Sequence, residues 1–192
     1  MKKSVVVLLL LVLSAVFFSF YQTSNEDDKI YWDAGKRLAW NDYKASPDYN
    51  DTSNSALTFY GISSVIKTKK DTAAFQIKSM FDIQKSWVKP EDKTDTLLHH
   101  EQGHFDIAEV YARKLKKTVH DYTFKKATLG TDFNTIYKKN SEALNTQQGI
   151  YDEETDHGRI FAKQKEWNEK IQREIKELDL YDKPLITVHF SL

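Results

Sequence analysis

A chain of 192 residues, 40% hydrophobic and 13% aromatic, is long enough for one self-sufficient core plus a short appendage and is not generally disordered. Its 28 basic and 28 acidic side chains balance to zero formal charge, so nothing in the balance selects nucleic acid as a partner. The lack of cysteine excludes disulfides, cysteine zinc sites, thiol nucleophiles and lipid attachment through an N-terminal cysteine.

Lys2 and Lys3 precede an apolar run from Val5 to Phe18, and polar "QTSNEDDK" follows from Gln22. A cationic start, an apolar centre and a polar exit are the layout of a secretory signal. Extended over residues 5–21, the run reaches about 17 residues, the lower limit for a membrane-spanning helix. Residues 1–24 are therefore expected to be a signal peptide or an N-terminal membrane anchor. Residues 25–192 then form one domain exported across the cytoplasmic membrane, to be periplasmic, extracellular or tethered. Asn25 to Lys29 is the only tether the composition suggests.

Residues 30–54 set aromatics among turn formers, which predicts irregular structure with short strands. Ala56 to Lys67 reads as a strand, "TKKDT" as a turn, and Phe75, Ile77, Phe81 and Ile83 alternate with polar side chains in a second strand. The pair predicts an antiparallel hairpin. Pro90 and Glu91 open a helical region. Phe133, Tyr137, Leu144 and Tyr151 trace a second helix with Gly158 as its stop, and Ile160, Trp167, Ile171, Ile175 and Leu178 a third. Pro184 ends that element, and "LITVHF" returns as a short strand. Helices follow strands instead of alternating with them, so the expected class is α+β.

The first helix carries the chemistry, in "LLHHEQGHFDIAEVYARKL" at Leu97 to Leu115. With His100 at zero on a helical wheel, His104 falls at about 40° and Glu101 at about 100°, among Leu97, Ala108, Tyr111 and Leu115. Three ionisable groups thus share the apolar stripe, and burying them without a partner costs several kcal/mol. A divalent cation supplies the partner. Histidines at i and i+4 can present nitrogens to one ion, zinc suits such ligands, and Glu101 beside them can serve as general base. Gly103 costs about 1 kcal/mol against alanine in a helix, which implies close approach of something there. His99 and His120 fall off the stripe and read as solvated surface, His189 has no evident partner, and Glu109 lies too far round to join Glu101.

A third protein ligand must come from elsewhere. "YDEETDHG", Tyr151 to Gly158, crowds Asp152, Glu153, Glu154, Asp156 and His157 beside a helix stop, and periodicity does not choose among them. A helix broken at Gly158 frees His157 to turn inward. A solvated acidic helix end is the alternative.

These two stretches resemble a bacterial family catalogued as domain of unknown function 922 and described as predicted secreted zinc-dependent proteases. "LAWNDY" at Leu38 to Tyr43 and "SWV" at Ser86 to Val88 support the likeness. The resemblance implies a zincin-like fold, His100 and His104 as ligands, Glu101 as base, and His157 as third ligand, matched through Tyr151, Asp152, Thr155, His157 and Gly158. Asn41 and Tyr43 stand where the family pattern has Asp and Phe, and neither is expected to touch the site. Near a metal, a Tyr151 hydroxyl can stabilise an oxyanion, and Asp152 can orient a ligating imidazole through its second nitrogen. A core tyrosine and a helix-end charge are the plainer readings of the same two residues.

The expectation is an exported zinc peptidase, with zinc on His100, His104 and His157, that hydrolyses peptide bonds by metal-activated water. Its partners are peptide or protein substrates, with a membrane tether through residues 5–21 if the segment is retained. The rivals are a non-catalytic zinc-binding interaction domain, working through the charged helix Arg159 to Leu178, and a zinc amidase acting on cell-wall peptides.

Overall fold

In the computed structural model, residues 26–191 are described. The segment read as an export signal or anchor lies outside them, and among the described residues no helix is long and apolar enough to cross a membrane. Along the chain run β1 (Lys29–Tyr31), β2 (Ala56–Leu57), β3 (Tyr60–Lys69), β4 (Thr72–Asp82), β5 (Trp87–Val88), α1 (Asp95–Asp121), α2 (Leu129–Thr155), α3 (Phe161–Glu177) and β6 (Leu185–His189). The class is α+β, antiparallel strands first and three helices after, with one strand returning to the sheet.

β4 is the spine of the sheet. Ala73, Phe75, Ile77, Ser79 and Phe81 alternate inward and are all essentially unexposed, as a period of two requires for one buried face. β3 pairs with it antiparallel from Tyr60↔Phe81 to Lys69↔Thr72, around a two-residue turn in which Lys70 takes a positive φ of 47°. On its other side β4 pairs with β1 near Asp82 and with β6 near Thr72. β3 is thus one edge of the sheet, and β1 and β6 share the other.

The single expected strand from Ala56 is broken at Thr58 and Phe59. β2 leaves the sheet to pair with β5, and Phe59 turns its backbone nitrogen to the hydroxyl of Ser86. The helix expected from Pro90 starts later. Pro90–Asp92 is a separate 3-10 turn, and Thr94 caps α1 by accepting a bond from the Leu97 amide at 3.1 Å.

α1 is buried almost all round, where the sequence showed one apolar stripe. The N-terminal segment covers its other side. Asp106 accepts from Trp32 Nε1 (2.8 Å), Arg37 Nη1 (3.1 Å) and Gln102 Nε2 (2.7 Å), while Gln102 Oε1 accepts from the Leu38 amide at 2.7 Å. Further along, Glu109 accepts from Arg113 Nε (2.8 Å) and Ser79 Oγ (3.1 Å). Polar residues can line a core helix when each has a partner, and these do. The apolar stripe meets the sheet and the other helices through Leu115 and Val119 of α1, Phe133 and Leu144 of α2, and Val188 of β6. α3 docks by its i, i+4 pair Trp167 and Ile171, and Trp167 Nε1 donates to Glu154 at 2.8 Å.

Candidate metal centre

One helical turn of α1 sets His100, Glu101 and His104 at 1%, 5% and 8% exposure, as the wheel requires. Both Nε2 atoms point at one carboxylate oxygen: Asp152 Oδ1 lies 3.1 Å from His100 Nε2 and 3.0 Å from His104 Nε2. Asp152 sits in the last turn of α2, so two segments distant in sequence converge here.

The chain beyond α2 brings in the third histidine. Asp156, His157 and Gly158 have φ of 49°, 53° and 82°, three left-handed residues in succession, which turn the backbone sharply at the helix end. Gly158 is needed on two counts. Its φ is positive, and a Cβ there would meet His100 Cβ at 2.8 Å. His157 thereby turns inward, 39% exposed, with Nδ1 3.6 Å from Asp152 Oδ1. Ligand atoms of His100, Asp152 and His157 all lie within 4.8 Å of one another. Asp156 faces outward, held by Nε and Nη2 of Arg159.

Imidazole nitrogens and a carboxylate oxygen are the donors a small cation such as zinc takes, and His104 meets the group of His100, Asp152 and His157 through Asp152 Oδ1. Bonds of about 2.0–2.1 Å imply about 3.3 Å between neighbouring ligand atoms, close to the three distances from Asp152 Oδ1. A carboxylate only accepts hydrogen bonds, so the nitrogens facing it call for a proton or a metal between.

Glu101 stands beside this cluster and is itself held. Thr58 Oγ1 donates to Glu101 Oε2 at 2.5 Å and lies 2.7 Å from the Tyr43 hydroxyl, whose proton completes the chain. The strand break at Thr58 is what aims this hydroxyl inward. Tyr43, expected to be remote from the site, reaches it through Thr58; the LAWNDY stretch packs against the hairpin and α1 in a way spacing does not show. A cavity of about 170 Å³ lies among Thr58, Tyr60, Glu101, His104, Asp152 and His157, with the Tyr60 ring stacked parallel to His104. A larger one of about 510 Å³ adjoins it, sharing Glu101 and His157 and walled by Leu97, Arg159 and Phe161.

Burial disfavours charge on Asp152 and His104, but their pairing outweighs it. Hydrogen bonds from His100 and His104, with their charges, hold the Asp152 carboxyl far below the usual carboxylate range, and Asp152 and Glu101 raise His104. In metal-free protein the pair's contribution to stability is complete between about pH 4 and pH 6.5, the ordinary values of the two groups. Below that window it is lost as Asp152 protonates through its depressed value, and above it as His104 deprotonates through its raised value. Melting temperature of chelator-treated protein is therefore expected to fall as pH rises beyond His104's raised value, and Asp152→Asn to flatten that fall. Identical profiles for the two proteins would refute the pairing.

Asp152 was expected behind one imidazole; the structure sets it before two. The second nitrogens belong to Gln164 Oε1, 3.1 Å from His100 Nδ1, and Gln148 Oε1, 2.7 Å from His104 Nδ1. Tyr151, considered for an oxyanion, is fully buried. Its hydroxyl donates to the His100 carbonyl at 2.9 Å and accepts from Gln164 Nε2 at 2.7 Å, and its ring stacks on His100 at 4.6 Å. That geometry makes it a packing residue, and it is what approaches Gly103, where a Cβ would stand 2.1 Å from the hydroxyl. His99, His120 and His189 lie exposed, and Glu109 belongs to the Arg113 pair. Sequence reasoning did not find Thr58, Gln148 or Gln164. The two glutamines carry the signal that exposed the motif helix, a polar side chain at core spacing beside Leu144 and Tyr151 or beside Trp167 and Ile171.

A family model described as a bacterial protein of unknown function (DUF922) matches residues 30–158, which include the three histidines, Glu101 and Asp152. No curated protein and no solved structure matches the chain.

Proposed function

This chain belongs to the bacterial family of unknown function DUF922, and we propose that it is an exported zinc-dependent peptidase of zincin type. One observation carries the reading: imidazoles from α1 and from the turn after α2 meet around Asp152 Oδ1, with the Glu101 carboxylate beside them in the same cavity. His100 and His104 through Nε2, with His157, would hold zinc. When bound, zinc supplies Lewis-acid chemistry and makes a water molecule acidic near neutral pH.

The rest falls to this chain's own side chains. Thr58 occupies Glu101 Oε2 and leaves the other oxygen free to take the proton from a water attacking the scissile carbonyl. Glu101 then returns that proton to the leaving amine. β3 pairs only with β4 among the described strands, so its outer edge can take an extended peptide beginning at Tyr60, whose ring lies against His104. The adjoining larger cavity offers room for a side chain of that peptide.

A second reading has its own observation. Asp152 Oδ1 stands where a fourth protein ligand would, and four protein ligands close a zinc site. The chain would then be a zinc-stabilised interaction domain. Metal analysis and peptidase assay of the purified protein separate the two. The peptidase is expected to carry one zinc per chain, to lose hydrolysis of a mixed peptide library on chelation, and to regain it with zinc. One zinc without hydrolysis selects the interaction domain. Absence of any metal refutes both.

A further inference from the structure

We infer that Gln148 and Gln164 are positioning residues that fix His100 and His104 in the one tautomer able to take a metal through Nε2. The inference rests on the metal reading above. A side-chain amide has one accepting and one donating end, so its partners fix its orientation. Gln164 Nε2 lies 2.7 Å from the Tyr151 hydroxyl and 2.9 Å from Asn168 Oδ1. The Tyr151 proton is given to the His100 carbonyl, so this hydroxyl accepts from Gln164. Gln164 Oε1 is left facing His100 Nδ1, which must then carry the ring hydrogen. Thr155 agrees: its hydroxyl donates to the Tyr151 carbonyl at 2.6 Å, so toward His100 Nδ1 it too can only accept.

Gln148 repeats the arrangement on the other ring. Its Nε2 donates to the His104 carbonyl at 2.9 Å, which turns Oε1 to His104 Nδ1. With a hydrogen on each Nδ1, a neutral imidazole carries its lone pair on Nε2, and both lone pairs face Asp152 Oδ1. Three acceptors meeting at one point call for a proton or a metal among them, and with both Nδ1 atoms already carrying a hydrogen, a metal on the Nε2 lone pairs leaves both rings neutral. Amides in place of the carboxylates that often back ligating histidines also add no negative charge to a site already holding Glu101 and Asp152. Gln164 stands in α3, beyond the residues 30–158 that the family model matches. The third helix, anchored by Trp167 and Ile171, is thereby part of the metal centre.

Gln148→Met and Gln164→Met keep side-chain length and remove the acceptor. Zinc affinity measured against a competing chelator is expected to fall about 10–100-fold in each. A nitrogen-15 spectrum of the zinc-loaded wild type should show both rings protonated at Nδ1 and ligated at Nε2, with the matching Nδ1–H signal lost to exchange in each variant. Gln164→Glu, which retains an acceptor opposite His100, should recover affinity that Gln164→Met loses. Wild-type affinity in both Met variants overturns the inference and leaves the metal reading standing. So does a wild-type ring ligated through Nδ1, a readout that serves even where a Met variant fails to fold. A wild type that binds no zinc overturns both.

Discussion

Glu101→Gln is expected to lower kcat/KM for peptide hydrolysis by about 10²–10⁴-fold, the usual contribution of a positioned general base. Zinc content and melting temperature should stay near those of the wild type. The amide has the shape of the carboxylate, and its oxygen can still accept from Thr58, so the buried chain from Glu101 through Thr58 to Tyr43 survives the change. What disappears is an oxygen basic enough to take a proton from water. Glu101 is not among the groups proposed to hold the metal, so loss of activity with zinc retained would assign the defect to proton transfer and not to assembly of the site. Full activity in the variant would remove Glu101 from the mechanism.

Gly103→Ala should be the most damaging small substitution in α1. Alanine favours a helix over glycine by about 1 kcal/mol, so propensity alone predicts stabilisation. Packing decides otherwise. The new Cβ would lie 2.1 Å from the Tyr151 hydroxyl and 2.7 Å from its Cζ. Tyr151 has nowhere to retreat, since its ring is stacked on His100 and met edge-on by Trp167 at 5.3 Å. Overpacking of this kind costs about 1–3 kcal/mol and sometimes more, and loss of the hydroxyl's two hydrogen bonds adds to it. The expected net loss is about 2 kcal/mol, or about 4–8 °C in Tm for a domain of this size. Zinc should bind more weakly as well, because Tyr151 and Gln164 support His100. Gly149→Ala is the control: it is exposed in α2 with nothing within 4 Å of the new Cβ, and should stabilise by up to about 1 kcal/mol. Should Gly103→Ala melt at or above the wild-type temperature, the contact with Tyr151 would be wrong.

The elements that sequence periodicity announced are those whose periodicity is local. Alternation in Phe75, Ile77 and Phe81 specified the buried face of β4, and the stripe through Leu97, Ala108 and Leu115 specified which side of α1 carries His100 and His104. The break at Thr58 escaped the same reasoning because its cause is not local. Ala56 and Leu57 pair with Val88 and Trp87, and Thr58 bonds to Glu101, 43 positions along the chain. The polar side of α1 reads as solvated for a similar reason: the groups that cover Asp106 and Gln102 come from Trp32, Arg37 and Leu38.

The sequence by itself determined the α+β order of elements, the placement of two histidines and a glutamate on one buried helix face, and the requirement for something close-fitting at Gly103. Helical pitch and strand pleat repeat within a few residues, so neighbours in the chain are enough to reveal them. Only the tertiary structure decided which groups those side chains meet. Asp152 lies 52 positions from His100, Gln164 is 64 away, and His157 arrives through a left-handed turn whose direction no repeat encodes. Hydrogen bonds and ligand sets act over about 3 Å, and which atoms come that close is set by how whole elements pack.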